Sequence, residues 1–217
     1  MRQAITPENL NWRPLHAVVF LLFFLAAARI PMLGCWPWQL LAPVIAYGFL
    51  CGLISPLRRT CVWMTFGRWD RLSLVATALI VAMSTIALVL YQWIATPDVG
   101  DLVARLPTSI LGSAVLAGTL FAVVNASLEE IAFRGILYDG LESQWGWQAA
   151  VVITALFFGI VHVRGYPPGP WGAVLAGLYG MLLGWLRRRT RGLALPLVAH
   201  VCADAAVFGI LVHGGDV

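Results

Sequence analysis

Long apolar segments recur along almost the whole chain, and short polar stretches separate them. About seven such runs can be distinguished, and most approach the roughly 20 residues that a helix needs to cross a bilayer. They cover residues 15–33, 38–57, 72–95, 108–128, 147–163, 170–186 and 193–213. None alternates with the period of two that membrane β-strands require, so these runs predict transmembrane helices.

The composition agrees with a surface that faces lipid. Hydrophobic residues make up 60% of the 217 residues, charged residues make up 11%, and the mean hydropathy is +0.85. A soluble domain of this length needs far more charge to cover its surface. We therefore predict an all-α, polytopic helical bundle with about seven or eight spans.

Basic residues are concentrated in two of the polar stretches between runs. An excess of arginine marks cytoplasmic loops, so both stretches are predicted on the cytoplasmic side, which places the N-terminus in the cytoplasm. This asymmetry explains the net charge of +4, and no nucleic-acid partner is expected. Many arginines without lysine favour a prokaryotic inner or cell membrane as the location. The arginines concerned are Arg58, Arg59, Arg68, Arg71, Arg187, Arg188, Arg189 and Arg191.

Three clusters of ionisable residues interrupt the late runs, where each such residue costs several kcal/mol. The first contains Glu129, Glu130 and Arg134. On a helix, Glu130 and Arg134 lie four residues apart and can pair. Glu129 points about 100° away from Glu130 and is not held by the same arginine. Taken alone, the cluster also fits an amphipathic helix end at the membrane surface.

The other two clusters end the fifth run and interrupt the seventh. His162 follows Phe158 by four residues, and Asp204 follows His200 by four residues. Taken alone, His162 also fits a structural hydrogen-bonded histidine, and His200 with Asp204 also fits a buried structural pair. At about 1.5 Å per residue, however, Glu129, His162 and Asp204 all lie roughly 16–22 Å from the cytoplasmic ends of their helices. The three clusters are therefore predicted to meet within the membrane, between the late helices.

These side chains indicate hydrolytic chemistry. A free carboxylate beside an imidazole can take a proton from water as a general base, and a second polar pair can stabilise an oxyanion. Glu129, His162, His200 and Asp204 could instead bind a divalent metal such as zinc, although the sequence contains neither HExxH nor GxSxG. Intramembrane Glu, His and Asp also mark proton paths, so a proton-coupled transporter is an alternative, without an inverted repeat to support it.

The order E-E-x-x-x-R, F-x-x-x-H and H-x-x-x-D on successive late spans resembles the CPBP family. This family groups CAAX-processing proteases of the Ras-converting type with bacteriocin-processing and immunity proteins. The resemblance covers roughly residues 108–213, while residues 1–107 carry no recognised motif. It predicts one membrane domain, with N-terminal helices in 1–107 and a catalytic helical core in 108–213.

The resemblance implies an intramembrane endopeptidase whose partners are the bilayer and a membrane-associated protein or peptide, cleaved in C-terminal processing or sorting-signal removal. A non-proteolytic immunity or scaffold protein of the same fold is the alternative. Members have been described both as metalloproteases and as metal-independent glutamic proteases; no cofactor is expected here, with zinc as the alternative.

The family's roles transfer to matching positions of this chain. Glu129 would activate water with help from His162, and His200 with the residue at 204 would form the oxyanion site. Glu130 and Arg134 would form a supporting ion pair, next to the motif residue Phe158. The best-understood CAAX-processing members have Asn where this chain has Asp204. An ionised Asp cannot donate a hydrogen bond, so Asp204 would be protonated, orient His200 or bind a metal.

Overall fold

The structure is a computed structural model that describes residues 11–104 and 113–214, with side chains to residue 212. All regular structure within these ranges is helical, and the all-α prediction is confirmed. The predicted boundary between residues 107 and 108 and the start of the fourth predicted run lie outside the described residues.

The helices of the first half precede the site in the chain. They are α1 (Arg13–Ala27), a 3₁₀ turn (Pro31–Leu33), α2 (Trp38–Leu53), α3 (Ser55–Thr60), α4 (Arg71–Ala95) and α5 (Gly100–Val103). The second half carries all three ionisable clusters. Its elements are α6 (Ala114–Glu129), a π-helical segment (Glu130–Leu137), α7 (Tyr138–Val161), a 3₁₀ turn (His162–Arg164), α8 (Gly169–Thr190) and α9 (Ala194–Gly214).

Four helical stretches of the described chain are long and apolar enough to cross a bilayer, which supports an integral membrane protein. They are Arg71–Ala95, Ala114–Arg164, Gly169–Thr190 and Ala194–Val212. The predicted runs 108–128 and 147–163 therefore lie in one stretch of connected helical segments. Gly146 interrupts it, since its φ of 81° and ψ of 170° are not helical and are readily adopted only by glycine.

The first two predicted spans are shorter in the structure than in the sequence analysis. Helix α1 ends at Ala27, because the chain is extended at Ile30, which precedes Pro31. Helix α2 ends at Leu53, where the backbone becomes extended at Ile54. Both are apolar helices below the length of a full span by themselves. The predicted runs 15–33 and 38–57 were thus too long at their C-terminal ends.

The connection between α3 and α4 packs against the end of α8. The backbone N–H of Arg68 donates to the carbonyl oxygen of Thr190 at 2.8 Å, and that of Leu193 donates to Thr65 at 2.8 Å. The two arginine-rich stretches therefore lie side by side, as a shared side of the membrane requires. That this side is cytoplasmic remains a prediction.

Arg187 differs from the other arginines of the stretch after the sixth predicted run, because its side chain is buried. It lies in the last turns of α8. Its guanidinium donates to the carbonyl oxygens of Trp63 at 3.0 Å and Arg134 at 3.1 Å. Sequence analysis placed Arg187 in a loop because the predicted run ends at residue 186. In the structure the helix continues to Thr190. Arg187 thus joins the α3–α4 connection to the π-helical segment.

Helix α4 starts at an ordinary polar cap. The carboxylate of Asp70 accepts a hydrogen bond from the backbone N–H of Ser73 at 2.8 Å. This contact lowers the pKa of Asp70. Arg189 of α8 lies 3.2 Å from the same carboxylate, so the cap also contacts the basic end of α8.

Candidate active site

Two adjacent glutamates sit where α6 passes into the π-helical segment. Glu129 is the last residue of α6 and Glu130 begins the π turn, and both side chains are buried. Oε1 of Glu130 lies 3.2 Å from Nη1 of Arg134 and 2.7 Å from Nδ1 of His200. Glu130 is therefore held by two potential cations, one on its own element and one on α9. Single π turns inside α-helices frequently occur at functional sites.

Glu129 is held differently from its neighbour. Its Oε1 accepts a hydrogen bond from Nδ2 of Asn125 at 3.2 Å. Its Oε2 is buried, accepts no hydrogen bond from the described residues, and faces two ring nitrogens. These are Nε2 of His162 at 3.6 Å and Nε2 of His200 at 3.4 Å. One oxygen of Glu129 is thus anchored, and the other points between two imidazoles.

The two histidines are oriented by their other ring nitrogens. Nδ1 of His162 lies 2.7 Å from the carbonyl oxygen of Phe158 and must donate to it, because that oxygen can only accept. In a neutral ring, Nε2 of His162 then carries a lone pair. Nδ1 of His200 likewise donates to the carboxylate of Glu130. Both Nε2 atoms are consequently directed towards Glu129.

Phe158 packs against three of the polar side chains and is itself buried. Its ring centroid lies 4.1 Å from that of His162 and 5.8 Å from that of His200. The guanidinium of Arg134 lies 4.4 Å above the same ring, within the range of a cation–π contact. Phe158 therefore contacts both Arg134 of the ion pair and His162, and it restricts the position of each.

Asp204 and Glu129 accept hydrogen bonds from the same amide nitrogen of Asn125. Oδ2 of Asp204 accepts a hydrogen bond from Nδ2 of Asn125 at 3.1 Å, and Oδ1 of Asp204 lies 3.8 Å from Nε2 of His200. All seven residues named by the sequence motifs are therefore brought to one buried site.

Asn125 was missed by sequence analysis. The available signal was its position four residues before Glu129, which puts both side chains on one face of α6.

A cavity of about 240 Å³ adjoins the site on the side of His162, His200 and Asp204. Most of its lining is apolar and comes from α4, α8 and α9. Tyr179 of α8 also lines it, with its ring 5.8 Å from that of His200, and its buried hydroxyl has no hydrogen-bond partner among the described residues. The apolar lining includes Met83, Ala87, Leu88, Leu175, Leu178, Leu182 and Val207.

Tyr166, in the connection between α7 and α8, also lines this cavity. Its hydroxyl donates to Oε1 of Gln92 on α4 at 2.8 Å, and its ring meets that of Tyr91 edge to face. Burial raises the pKa of Tyr166 to about 12, so the phenol is neutral at physiological pH. The contact ties the α7–α8 connection, which carries His162, to helix α4.

The donor groups of the site decide whether it could hold a metal ion. No group of three or more His, Cys, Asp or Glu side chains among them is arranged to hold a metal ion. Two of the candidate ligands are already engaged by protein donors, since Asn125 donates to both Glu129 and Asp204. That contact leaves Oε2 of Glu129 and Oδ1 of Asp204, so a zinc site stays the alternative to a metal-free site.

Part of the chain matches a known protein family. Residues 111–206 match the family described as type II CAAX prenyl endopeptidase, Rce1-like. This match confirms the resemblance predicted from the three motifs, all of which lie inside it, and supports an intramembrane protease. No curated protein and no solved structure matches the chain.

Proposed function

We propose that this protein is an intramembrane endopeptidase that uses glutamate-activated water, a function that the match of residues 111–206 to the Rce1-like CAAX endopeptidase family supports. The observation that carries the proposal is the environment of Oε2 of Glu129. This buried oxygen lies 3.6 Å and 3.4 Å from the Nε2 atoms of His162 and His200. A carboxylate oxygen in that position can accept a proton from a water molecule held beside it.

His162 and Glu129 form the water-binding side of the proposed site. With its Nδ1–H committed to Phe158, a neutral His162 presents a lone pair at Nε2. That lone pair accepts one O–H of the water, while Oε2 of Glu129 accepts the other. The side chain of His162 is 21% exposed, whereas that of Glu129 is 9% exposed, so water and substrate reach the pair from the histidine side.

In the proposed reaction, Glu129 takes a proton from water as the water oxygen attacks the carbonyl carbon of the scissile peptide bond. The carbonyl oxygen becomes an oxyanion in a tetrahedral intermediate. When this collapses, the C–N bond breaks and the proton passes from Glu129 to the leaving amine. The products are one carboxyl and one amine terminus, and Glu129 returns to its ionised form.

The oxyanion requires hydrogen-bond donors on the cavity side of the site. Nε2–H of a protonated His200 is one donor. The hydroxyl of Tyr179 is the second, since it is a neutral donor that lines the cavity and is not engaged by a described residue. An ionised Asp204 accepts from Asn125, so we assign it to orienting His200.

The cavity supports an apolar substrate that approaches within the bilayer. Met83 of α4 is 58% exposed and Leu178 of α8 is 55% exposed, and both line the cavity. On a transmembrane helix such a surface faces hydrocarbon. The proposed substrate therefore carries an apolar chain or apolar residues beside the scissile bond, and a prenylated C-terminal Cys-aliphatic-aliphatic-X peptide meets that requirement.

Cleavage of a defined peptide tests the proposal. The protein is reconstituted in liposomes and incubated with a farnesylated peptide ending in Cys-aliphatic-aliphatic-X, with the unprenylated peptide and with an apolar transmembrane peptide. Mass spectrometry then locates any broken bond. We expect cleavage by the wild type and none by Glu129→Ala. Cleavage that persists in Glu129→Ala contradicts the mechanism, and intact peptides throughout favour the scaffold alternative.

A metal-dependent variant of the mechanism would use Glu129, His162, His200 and Asp204 as ligands. The metal content of the purified wild type is therefore compared with that of His162→Ala and His200→Ala. The proposal expects the same trace level of zinc in all three. Stoichiometric zinc in the wild type that is lost from both variants would assign these side chains to a metal centre.

A further inference from the structure

We propose that Trp36, in the connection between α1 and α2, fixes the orientation of Asn125 and, through it, the carboxylates of Glu129 and Asp204. The inference rests on the proposed function only for the statement that these carboxylates act in catalysis. Trp36 lies outside residues 111–206, which match the family. The site would thus be completed by a part of the chain in which no motif is recognised.

Hydrogen-bonding chemistry allows only one orientation of the Asn125 amide. Nε1 of Trp36 can only donate, and it lies 3.2 Å from Oδ1 of Asn125. Ionised carboxylates can only accept, and those of Glu129 and Asp204 lie 3.2 Å and 3.1 Å from Nδ2. Reversing the amide would set donor against donor at Trp36 and acceptor against acceptor at both carboxylates. The indole therefore determines which end of the amide faces the site.

This orientation decides which carboxylate oxygens face the histidines. Asn125 binds Oε1 of Glu129 and Oδ2 of Asp204, one with each of its two amide hydrogens. Oε2 and Oδ1 then remain to face Nε2 of His200, at 3.4 Å and 3.8 Å. The terminal torsion of a carboxylate is broad, so a fixed donor is needed to hold these positions. Asn125 and Trp36 are positioning residues in this account.

Trp36 is itself held by packing against α6. Its ring centroid lies 5.5 Å from that of Phe121, which precedes Asn125 by one helical turn. Substituting phenylalanine keeps an aromatic ring at this contact and removes only the N–H donor. The amide of Asn125, which is buried, would then lose the contact that favours one of its two orientations.

The test uses the four histidines of the chain as reporters and needs no substrate. The Cε1 resonances of ¹³C-labelled histidine are recorded for the purified protein in detergent micelles, and His→Gln variants assign them. Trp36→Phe and Asn125→Leu are compared with the wild type. His16 is an internal reference, because its ring nitrogens contact Tyr47 at 2.6 Å and Thr60 at 2.9 Å, in a separate cluster.

We expect the resonances of His162 and His200 to shift or split in Trp36→Phe while that of His16 stays in place. In Asn125→Leu they shift as well, and adding Trp36→Phe to that variant changes nothing further. Trp38→Phe is the matched control, since Trp38 lies two residues away and is 47% exposed. Unchanged His162 and His200 resonances in Trp36→Phe, or an equal effect of Trp38→Phe, would overturn the proposal. Should Asn125→Leu fail to fold, Trp36→Phe and its control decide the question.

Cleavage of the farnesylated peptide adds a second readout. Loss of one neutral hydrogen bond corresponds to about a fivefold decrease in kcat for Trp36→Phe, with KM within about twofold of the wild type. An increase in KM at constant kcat would contradict a positioning role. Histidine shifts without any cleavage by the wild type would leave the Trp36–Asn125 relationship intact and count against the proposed function, so the two failures are distinguishable.

Discussion

Nδ1 of His200 donates a hydrogen bond to Oε1 of Glu130 at 2.7 Å, and this contact joins α9 to the π-helical segment. Both side chains are buried, and the same oxygen pairs with Arg134 at 3.2 Å. The two adjacent glutamates thus have different tasks. Glu130 neutralises two buried cations and fixes the imidazole of His200, whereas Glu129 keeps an oxygen directed at both Nε2 atoms.

The first prediction follows from this division of tasks. Glu130→Ala leaves the buried Arg134 without its carboxylate, and the free energy of unfolding should fall by about 3–5 kcal/mol. Glu129→Ala removes a carboxylate whose hydrogen bond comes from the neutral amide of Asn125, so the loss should be about 1 kcal/mol. Unfolding by SDS titration in mixed micelles measures both. Equal destabilisation by the two substitutions would refute the distinction.

The second prediction concerns the hydroxyl of Tyr179. Tyr179→Phe should leave the free energy of unfolding unchanged, because the hydroxyl has no described hydrogen-bond partner. Its loss as an oxyanion donor should lower kcat about 10²-fold, with KM little changed. Tyr166→Phe is the control, since it removes a hydroxyl that bonds to Gln92. It should cost stability and change kcat less; a Tyr179→Phe variant with full activity removes Tyr179 from the mechanism.

The third prediction tests the buried arginine of α8. Arg187→Met breaks hydrogen bonds to the carbonyl oxygens of Trp63 and Arg134 and should destabilise the protein by at least about 2 kcal/mol. Arg188→Met is the matched control. The side chain of Arg188 is 43% exposed and lies 3.5 Å from Glu142, an ion pair worth at most about 1 kcal/mol. If both variants unfold alike, Arg187 does not hold the α3–α4 connection.

Those parts of the site that depend on local helix geometry could be predicted from the sequence. Spacing of four residues predicted the Glu130–Arg134 pair, and the pair is present. The rise of a helix predicted that Glu129, His162 and Asp204 share one level, and the structure brings them together around Glu129 and His200. Both arguments work because they need only the geometry of single helices.

The other features of the site and fold depend on packing between segments that are distant in the chain. Such packing cannot be predicted from the pattern of a single sequence. Asn125 is one neutral amide in an apolar run, and its importance arises only where α6 meets α9 and the α1–α2 connection. The π turn after Glu129 has no residue signature of its own. In the sequence, Arg187 could not be distinguished from the arginines that follow it. In the structure, it lies within α8 and its side chain is buried.

The cleavage rate of Glu129→Gln compared with the wild type tests most directly whether Glu129 activates water without a metal. Each protein is measured with and without a strong zinc chelator. Glutamine keeps the size of the side chain and an oxygen for Asn125, but it cannot take a proton from water. We expect a loss of kcat of at least about 10²-fold in Glu129→Gln and no effect of the chelator on the wild type. Cleavage that survives Glu129→Gln, or wild-type cleavage that the chelator abolishes and added zinc restores, would contradict a glutamate-activated water without metal.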